Sequence, residues 1–540
     1  MAGLAAAFGS GAMTNSIRDI AQADVFFIIG SNTTVAHPVI GYRVRKAKRE
    51  GASIIVADPR CIDLAEHADA FLQLRPGTNE ALINGIINVI INEGLHDQDF
   101  IKERTEGFNE MAAAVQKYTP EYVAEITNVP AEEIYKAARL YAKAKNAAIL
   151  YTMGVTQHTS GTATVLAIAN LAMLTGNIGK PSSGVNPLRG QNNVQGSCDM
   201  GALPPVYTAY QPVANEDNRA KFAKAWGVDL SSSPGLTVTE IMEGAITGNV
   251  KLLYIKGENP MLTDANLNHV EEALDKVEFL VVQDIFLTET AAKADVVLPA
   301  AAFAEKTGTF VNTERRVQLI NQAVCPPGEA KADWQILQEL AQKLGFNWQY
   351  GSTEDVFNEI TTLTPSYAGI SYGRLEREGG LQWPCPTPEH PGTPVLHGDK
   401  FTRGKGLFSP VEYTPSAELT DGDFPLVLTT GRNLYHYHSG SMTHRSKEIE
   451  ELRPEELAQI NFEDACRMGI GDGDLVKLSS RRGELETRVQ LTDMVPPGVV
   501  FMTFHYKDAA VNLLTNDKLD PVAKIPELKV CAVKVEKVAS

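Results

Sequence analysis

Six short apolar runs, five of them ending in a polar or glycine-bearing loop, constrain this chain more than anything else in it. They read "DVFFIIG", "SIIVADPR", "NAAILYTMG", "VKLLYIKGENP", "VEFLVVQDIF" and "ADVVLPA". A continuous apolar run has no polar face, so as a strand it must be covered on both sides, as in a parallel sheet. Between the first two runs, "GYRVRKAKREGA" has helical spacing and a glycine stop. Helical stretches follow near 79–93 and 119–143, and a small-residue helix near 160–176. This strand–helix–strand rhythm predicts a doubly wound sheet.

The rhythm restarts after the loop "GVNPLRGQNNVQGSCDMGALP", a sign of two related halves. Residues 350–410 are punctuated by prolines, as in "WPCPTPEHPGTP", which reads as a linker. From about 420 the texture becomes short and β-rich: "FPLVLTTG", "DLVKLSSRRGELETRVQL", "GVVFMTF" and "KVCAVKVE", with "SSRRGELE" a hairpin. That pattern predicts a β-barrel. The expected fold is thus α/β: domains at 1–191 and 192–345, a linker at 346–415 and a barrel at 416–540.

At 540 residues the chain exceeds one compact core. Its net charge of -17 argues against a nucleic-acid partner, because the overall field repels phosphate. Local basic pockets for a phosphorylated ligand remain compatible with it. The cysteines, Cys61, Cys198, Cys325, Cys385, Cys466 and Cys531, are far apart and form no C-x-x-C, so they predict neither a disulfide framework nor a metal-cluster motif. No apolar run reaches the roughly 18 residues that span a bilayer. The opening "MAGLAAAFGSGAMTNSI" lacks the basic flank of a signal peptide, and reads like the middle of a loop and helix, with "TNSI" a helix cap. The expected compartment is the cytoplasm; a twin-arginine signal, if there is one, lies upstream.

Loops at the ends of parallel strands are where ligands bind, since backbone amides and helix N-termini point outward there. Four such loops are polar: "GSNTTVAHP" (30–38), "ADPR" (57–60), "KGENP" (256–260) and "QDIFLTET" (283–290). No G-x-G-x-x-G follows the first strand, so the usual nicotinamide fingerprint is missing. The carboxylate and guanidinium of "DPR" suit a ribose or guanine and a phosphate. Each loop alone would pass as a turn. "RGQNNVQG" (189–196) sets Arg189 among amide side chains that read a heterocycle edge, and its fork fits a small carboxylate; the structural alternative is an asparagine-rich turn with Arg189 in a salt bridge. "TTGRNLYHYHSGSMTHRS" (429–446) gathers Arg432, His436, His438, Ser439, Thr443 and Arg445. On a strand His436 and His438 would share a face; two histidines without a third ligand favour hydrogen bonding to a polyanion over metal ligation, and a solvated loop is the alternative. The segment 511–533, with Asn512, Thr515, Lys524 and Lys529, could close over a phosphate.

Taken together, "TMGVTQH", "LAMLTGNIGKPSSGVNPLRGQNNVQGSCDMGALP", "YIKGENP", "VVQDIFLTETA" and "SGSMT" resemble the catalytic subunits of formate dehydrogenases, within the bis-molybdopterin guanine dinucleotide oxidoreductases of the dimethyl sulfoxide reductase superfamily. The resemblance spans the whole chain, and "LRGQNNVQGSCDMG" is its most specific part; in nitrate and dimethyl sulfoxide reductases that loop reads differently. It implies two doubly wound α/β domains, each holding one pterin dinucleotide, and a double-psi-type β-barrel over both. It implies molybdenum or tungsten, formate or carbon dioxide as substrate, and an electron-transfer partner carrying iron–sulfur clusters. By this resemblance Arg189 anchors formate. Gly30, Asn32, Asp58, Arg60, Gly77 and Asn79 face one dinucleotide, and Gly257, Asn259, Asp284 and Thr288 the other. Met153, Gly154 and Gln157 line a pterin, while Gln191, Arg432, His438, Ser439, Thr443, Asn512 and Lys529 complete the enclosure. In the family a [4Fe–4S] domain and a metal-ligating cysteine or selenocysteine with a histidine precede the opening stretch found here. Neither is in this sequence, so the expectation is a reading frame begun downstream of an in-frame UGA. The alternatives are an inactive cofactor-binding fragment and a sibling oxidoreductase such as a nitrate reductase.

Overall fold

The computed structural model describes residues 1–539, which divide into two compact units. The first comprises residues 1–190, 262–267 and the chain from 395 onward. Its sheet has five parallel strands in the order Ala70–Leu72, Ser53–Ala57, Val25–Ile29, Ala147–Tyr151, Gly184–Pro187. Every residue of the two central strands is buried. Side chains alternate across a strand, so one run serves two cores. Val25, Phe27 and Ile29 pack with Leu82, Ile86 and Ile90 of helix Asn79–Asn92. Phe26 and Ile28 pack on the other face with Ile40, Val44 and Ala47, one stripe of helix Pro38–Arg49. Pro38 opens that helix, where its missing N–H costs nothing. At the chain start Ser16 caps the turn Ile17–Ile20, accepting from Asp19 N.

The same unit contains a closed six-stranded barrel, ordered Leu426–Gly431, Val499–Thr503, Leu457–Ile460, Glu484–Leu491, Leu475–Ser479, Cys531–Lys537. Two of its pairings are parallel and the others antiparallel. Strand Glu484–Leu491 alternates, with Leu485, Thr487 and Val489 inward. The hairpin expected at "SSRRGELE" pairs Leu478 with Leu485.

The second unit, residues 191–261 and 268–394, carries a parallel sheet of Leu252–Lys256, Phe279–Asp284 and Val296–Pro299. Its core forms between that sheet and the helices Val238–Ile246 and Leu267–Lys276. The strand expected at "ADVVLPA" forms at the edge of this sheet, where Val296 and Val297 are exposed.

The stretch 346–415 is not a linker. Residues up to 394 fold with the second unit, forming helices Thr353–Leu363 and Tyr372–Glu378 and a short strand that pairs Leu381 with Val317. The prolines that prompted the reading lie in a loop held by buried Arg315, which donates to the carbonyls of Trp383, Thr393 and Pro394. A guanidinium satisfies carbonyls that a proline-rich segment cannot pair in a ladder. From 395 the chain returns to the first unit, where Phe401, Phe408 and Val411 join its core. The second unit accordingly runs to 394 rather than 345.

Candidate functional site

At the C-terminal ends of the five-stranded sheet, the strand-end turns and the rim of the barrel line a cleft that is open to solvent along part of its length. Gly30 takes a left-handed φ of 55° directly after its strand. Its carbonyl accepts from Thr152 Oγ1 at 2.6 Å and from Gly154 N at 3.1 Å, drawing two strand-end turns together. A Cβ on either glycine would stand 2.6 Å from the other's backbone, so both must lack a side chain. In the next turn Arg60 N donates to Asp58 Oδ1 at 3.0 Å, an Asx turn that aims the arginine inward. Gly77, at a φ of 83°, leads into helix Asn79–Asn92. Thr429, Thr430, Gly431, Arg432, His438, Phe501, Phe504 and Lys529 form the barrel side of the lining.

Twelve of the residues singled out from sequence thus meet in one cleft: Gly30, Asn32, Asp58, Arg60, Gly77, Asn79, Met153, Gly154, Gln157, Arg432, His438 and Lys529. His37, His158, Thr152, Phe501 and Phe504 also line it and were not anticipated. His37 sits in "SNTTVAHP" and His158 in "TMGVTQH", both quoted motifs, so the signal for these two was already in view.

The charge arrangement is unusual for an interior. Lys529 is buried, and burial pulls its ammonium down to about 7; its hydrogen-bond partners are the carbonyl and hydroxyl of Thr430, at 2.8 and 3.2 Å. Arg60 lies 3.5 Å over the Phe501 ring and donates to Gln459 at 3.0 Å, while its buried Nε has no partner. Arg432 donates to the Gly190 carbonyl at 3.1 Å, and burial lowers its pKa. Asp58 is the acid of the lining, pushed up to about 6 by burial. Three cations that share one carboxylate, Asp58, and otherwise meet neutral acceptors in a largely dry wall are costly. A polyanion in the cleft removes that cost, and these donor types suit a pyrophosphate. Burial holds His438 at about 4, hence neutral. Its φ of 52° is strained for a non-glycine residue, and its carbonyl accepts from His505 Nδ1.

Other predicted residues lie elsewhere. The Arg189 carbonyl accepts from His37 Nε2 at 2.6 Å, and its guanidinium donates to the Gly11 carbonyl at 3.3 Å; Leu188 and Gly190, on either side of it, line the cleft. Ser439 pairs with Ser441, and Thr443 binds His436 Nδ1 and Tyr437 N, so both organise their own loop. Asn512 ties to the carbonyls of Leu262 and Thr263. Thr515 bonds the Asn512 carbonyl, leaving Lys529 as the residue of segment 511–533 that enters the cleft. Gln191, Gly257, Asn259, Asp284 and Thr288 belong to the second unit. There Gly257 and Asp284 stand at strand ends; Asp284 accepts from Phe286 N, Thr288 from Ala291 N, and Asn259 from Thr290.

His436 and His438 do not share a strand face, because 432–442 is a loop and the left-handed His438 reverses the alternation. His436 stacks on His444, ring centroids 4.1 Å apart, beside Glu450. These three groups lie close enough for a metal, yet each ring nitrogen already bonds to protein: His436 to Thr443 and the Arg453 carbonyl, His444 to Glu450 and the His505 carbonyl.

Comparison with known proteins agrees with this layout. Residues 3–343 match the family model "Molybdopterin oxidoreductase", and residues 426–532 match "Molydopterin dinucleotide binding domain". The chain is 55% identical to the F420-dependent formate dehydrogenase subunit alpha of Methanocaldococcus jannaschii over 540 residues, 99% of this chain and 80% of that protein. It is 45% identical to formate dehydrogenase H of Escherichia coli over 546 residues, covering 100% of this chain and 76% of that one. Among solved structures, acetylene hydratase from Pelobacter acetylenicus superposes with a TM-score of 0.78 at 22% identity, over 99% of this chain and 80% of that one, a likeness of fold. With its parallel sheets, closed barrel and both family matches, the chain belongs to the molybdopterin oxidoreductase family, beside the formate dehydrogenase alpha subunits.

Proposed function

We propose that this chain oxidises formate to carbon dioxide as the pterin-bearing part of a formate dehydrogenase. The observation that carries this reading is the donor set of the cleft: Arg60 and Lys529 buried and Arg432 half-buried, three cations that bond to neutral acceptors and share one lining carboxylate, Asp58, with Arg60 Nε unpartnered. These residues fit a pyrophosphate, and the glycine turns at Gly30, Gly77 and Gly154 let a large planar ligand approach the backbone. In this reading Asn32, Asp58, Asn79, Met153, Gln157 and His438 line the same guanine dinucleotide. Ser439, Thr443 and Asn512 brace its enclosure. Gln191, Gly257, Asn259, Asp284 and Thr288 serve a second dinucleotide. When bound, the molybdenum or tungsten pterin supplies the two-electron acceptor that no side chain provides.

The chain's own residues then position and neutralise. Oxidation of formate yields carbon dioxide, one proton and two electrons. The Arg189 fork binds the formate carboxylate through paired charge-assisted bonds and holds it in one orientation. The apolar rings of Phe501 and Phe504 keep water from that wall of the cleft. In this reading an iron–sulfur cluster on the way to a partner subunit would take up the electrons. Among the described residues no helix is long and apolar enough to cross a membrane.

The test is Arg189→Ala in the cofactor-loaded enzyme. Loss of a charge-assisted bidentate contact is expected to lower kcat/KM for formate by roughly 10- to 100-fold at unchanged metal and pterin content. Unchanged turnover would overturn the role given to Arg189.

A further inference from the structure

Arg189 lies two residues beyond the end of strand Gly184–Pro187 and is followed by Gly190, the residue type with the widest backbone freedom. Where its guanidinium points therefore depends on how that backbone is held. Three successive residues are held by one bond each. Leu188 N donates to the Tyr151 carbonyl at 2.9 Å, extending the pairing of the two strands. The Arg189 carbonyl accepts from His37 Nε2 at 2.6 Å, and the Gly190 carbonyl accepts from Arg432 at 3.1 Å. The middle bond is the shortest of the three, and it joins residues 152 apart in the chain.

His37 stands on a rigid base. It precedes Pro38, which restricts its backbone, and its own carbonyl accepts from Ile40 N and Gly41 N at 2.9 Å, at the start of helix Pro38–Arg49. That helix is fixed to the sheet through Ile40, Val44 and Ala47. A carbonyl can only accept, so His37 Nε2 carries a proton. Burial lowers the pKa of the ring; the bond to Arg189 opposes that and the Arg432 charge adds to it, so the imidazole is neutral at pH 7. Its one N–H is thus committed to Arg189. The buried Nδ1 has no hydrogen-bond partner among the described residues, so the Arg189 carbonyl is the group that orients the ring.

We infer that His37 is a positioning residue for formate: its Nε2–H grips the Arg189 carbonyl and so fixes the direction from which the Arg189 fork meets the carboxylate. This rests on the role proposed for Arg189. A fork binds a carboxylate through two parallel bonds, and a small rotation of its base misaligns both. Reacting groups tolerate displacements of less than about 1 Å before rate is lost. His37 exchanges no proton in this role and acts through Arg189.

A double-substitution cycle in the cofactor-loaded enzyme tests it, with rates taken per bound pterin. His37→Leu should lower kcat/KM for formate by roughly 3- to 30-fold. His37→Gln, whose amide N–H can reach the same carbonyl, should recover most of that loss. In an Arg189→Ala background His37→Leu should cost less than about 2-fold, because the group it positions is gone. Equal losses in the two backgrounds overturn the positioning role, and so does a Gln variant no better than Leu. Should His37→Leu not fold, His37→Asn, polar but too short to reach the carbonyl, takes its place in the cycle. Unchanged turnover in Arg189→Ala alone would defeat the proposed function instead. A crystal structure of the His37→Leu chain still decides the grip in that case: residues 188–190 displaced uphold it, and the same residues unmoved overturn it.

Discussion

Lys529 concentrates the argument at the scale of a single residue. Its ammonium is buried against Thr430, and burial moves its pKa from 10.5 to about 7. Between those values the unfolded chain binds a proton that the folded one does not. Stability of the ligand-free protein should therefore rise with pH from about 7 towards 10.5, the cost being fully present below 7. Lys529→Met should remove that slope and stabilise the ligand-free protein by about 2 kcal/mol at pH 7, after allowing for the Thr430 groups it leaves unpaired. Urea unfolding at pH 7 and pH 9.5 measures both. If the substitution destabilises the protein equally at both values, Lys529 is a structural lysine and the cleft is not an anion site. The same residue shows what sequence could and could not disclose. It was legible as a candidate because a lysine beside prolines in a terminal segment invites the thought of a phosphate. Its partner was not, because Thr430 lies 99 residues away and nothing local links them.

Among the elements, the strand-end turns determine what the cleft admits. Gly30 and Gly154 meet backbone to backbone, and a Cβ at Gly30 would clash at 2.6 Å in a left-handed conformation. Gly30→Ala should cost ~2–4 kcal/mol, from the clash plus the strained φ. Chemical denaturation measures this, and a cost under ~0.5 kcal/mol would mean the two turns do not need to touch. The helix Gly161–Leu174 is the second case. Its start is held in trans by Asp520, whose carboxylate takes Thr162 N and Oγ1, close to the positive end of the helix dipole. Asp520→Ala should cost ~1–2 kcal/mol, read from the shift in the denaturation midpoint. The strands were legible because consecutive apolar residues leave a parallel strand no solvent face, as Val25–Ile29 shows. The loop 384–394 was misread because proline density marks an irregular backbone, while whether that backbone floats or is pinned depends on one distant side chain, Arg315.

For the molecule as a whole, the informative fact is that the first unit is assembled from distant parts of the chain. Its cleft takes residues 30–190 from the sheet side and 429–529 from the barrel side. Each loop could be read singly from its own strand end. Their meeting could not be read from composition or spacing, and entered only through the family resemblance. A second whole-molecule feature is the contrast between a net charge of -17 and a cation-lined cleft. Inorganic pyrophosphate should raise the unfolding midpoint of the ligand-free protein, and Arg60→Ala with Lys529→Met should abolish that rise. The central claim is that the cleft holds a guanine dinucleotide of the metal pterin, and nucleotide content tests it most directly. Acid hydrolysis of the enzyme, purified from a host that makes the cofactor, should release GMP in stoichiometric amounts, and the doubly substituted protein should release markedly less. Folded protein that yields no GMP would contradict the account.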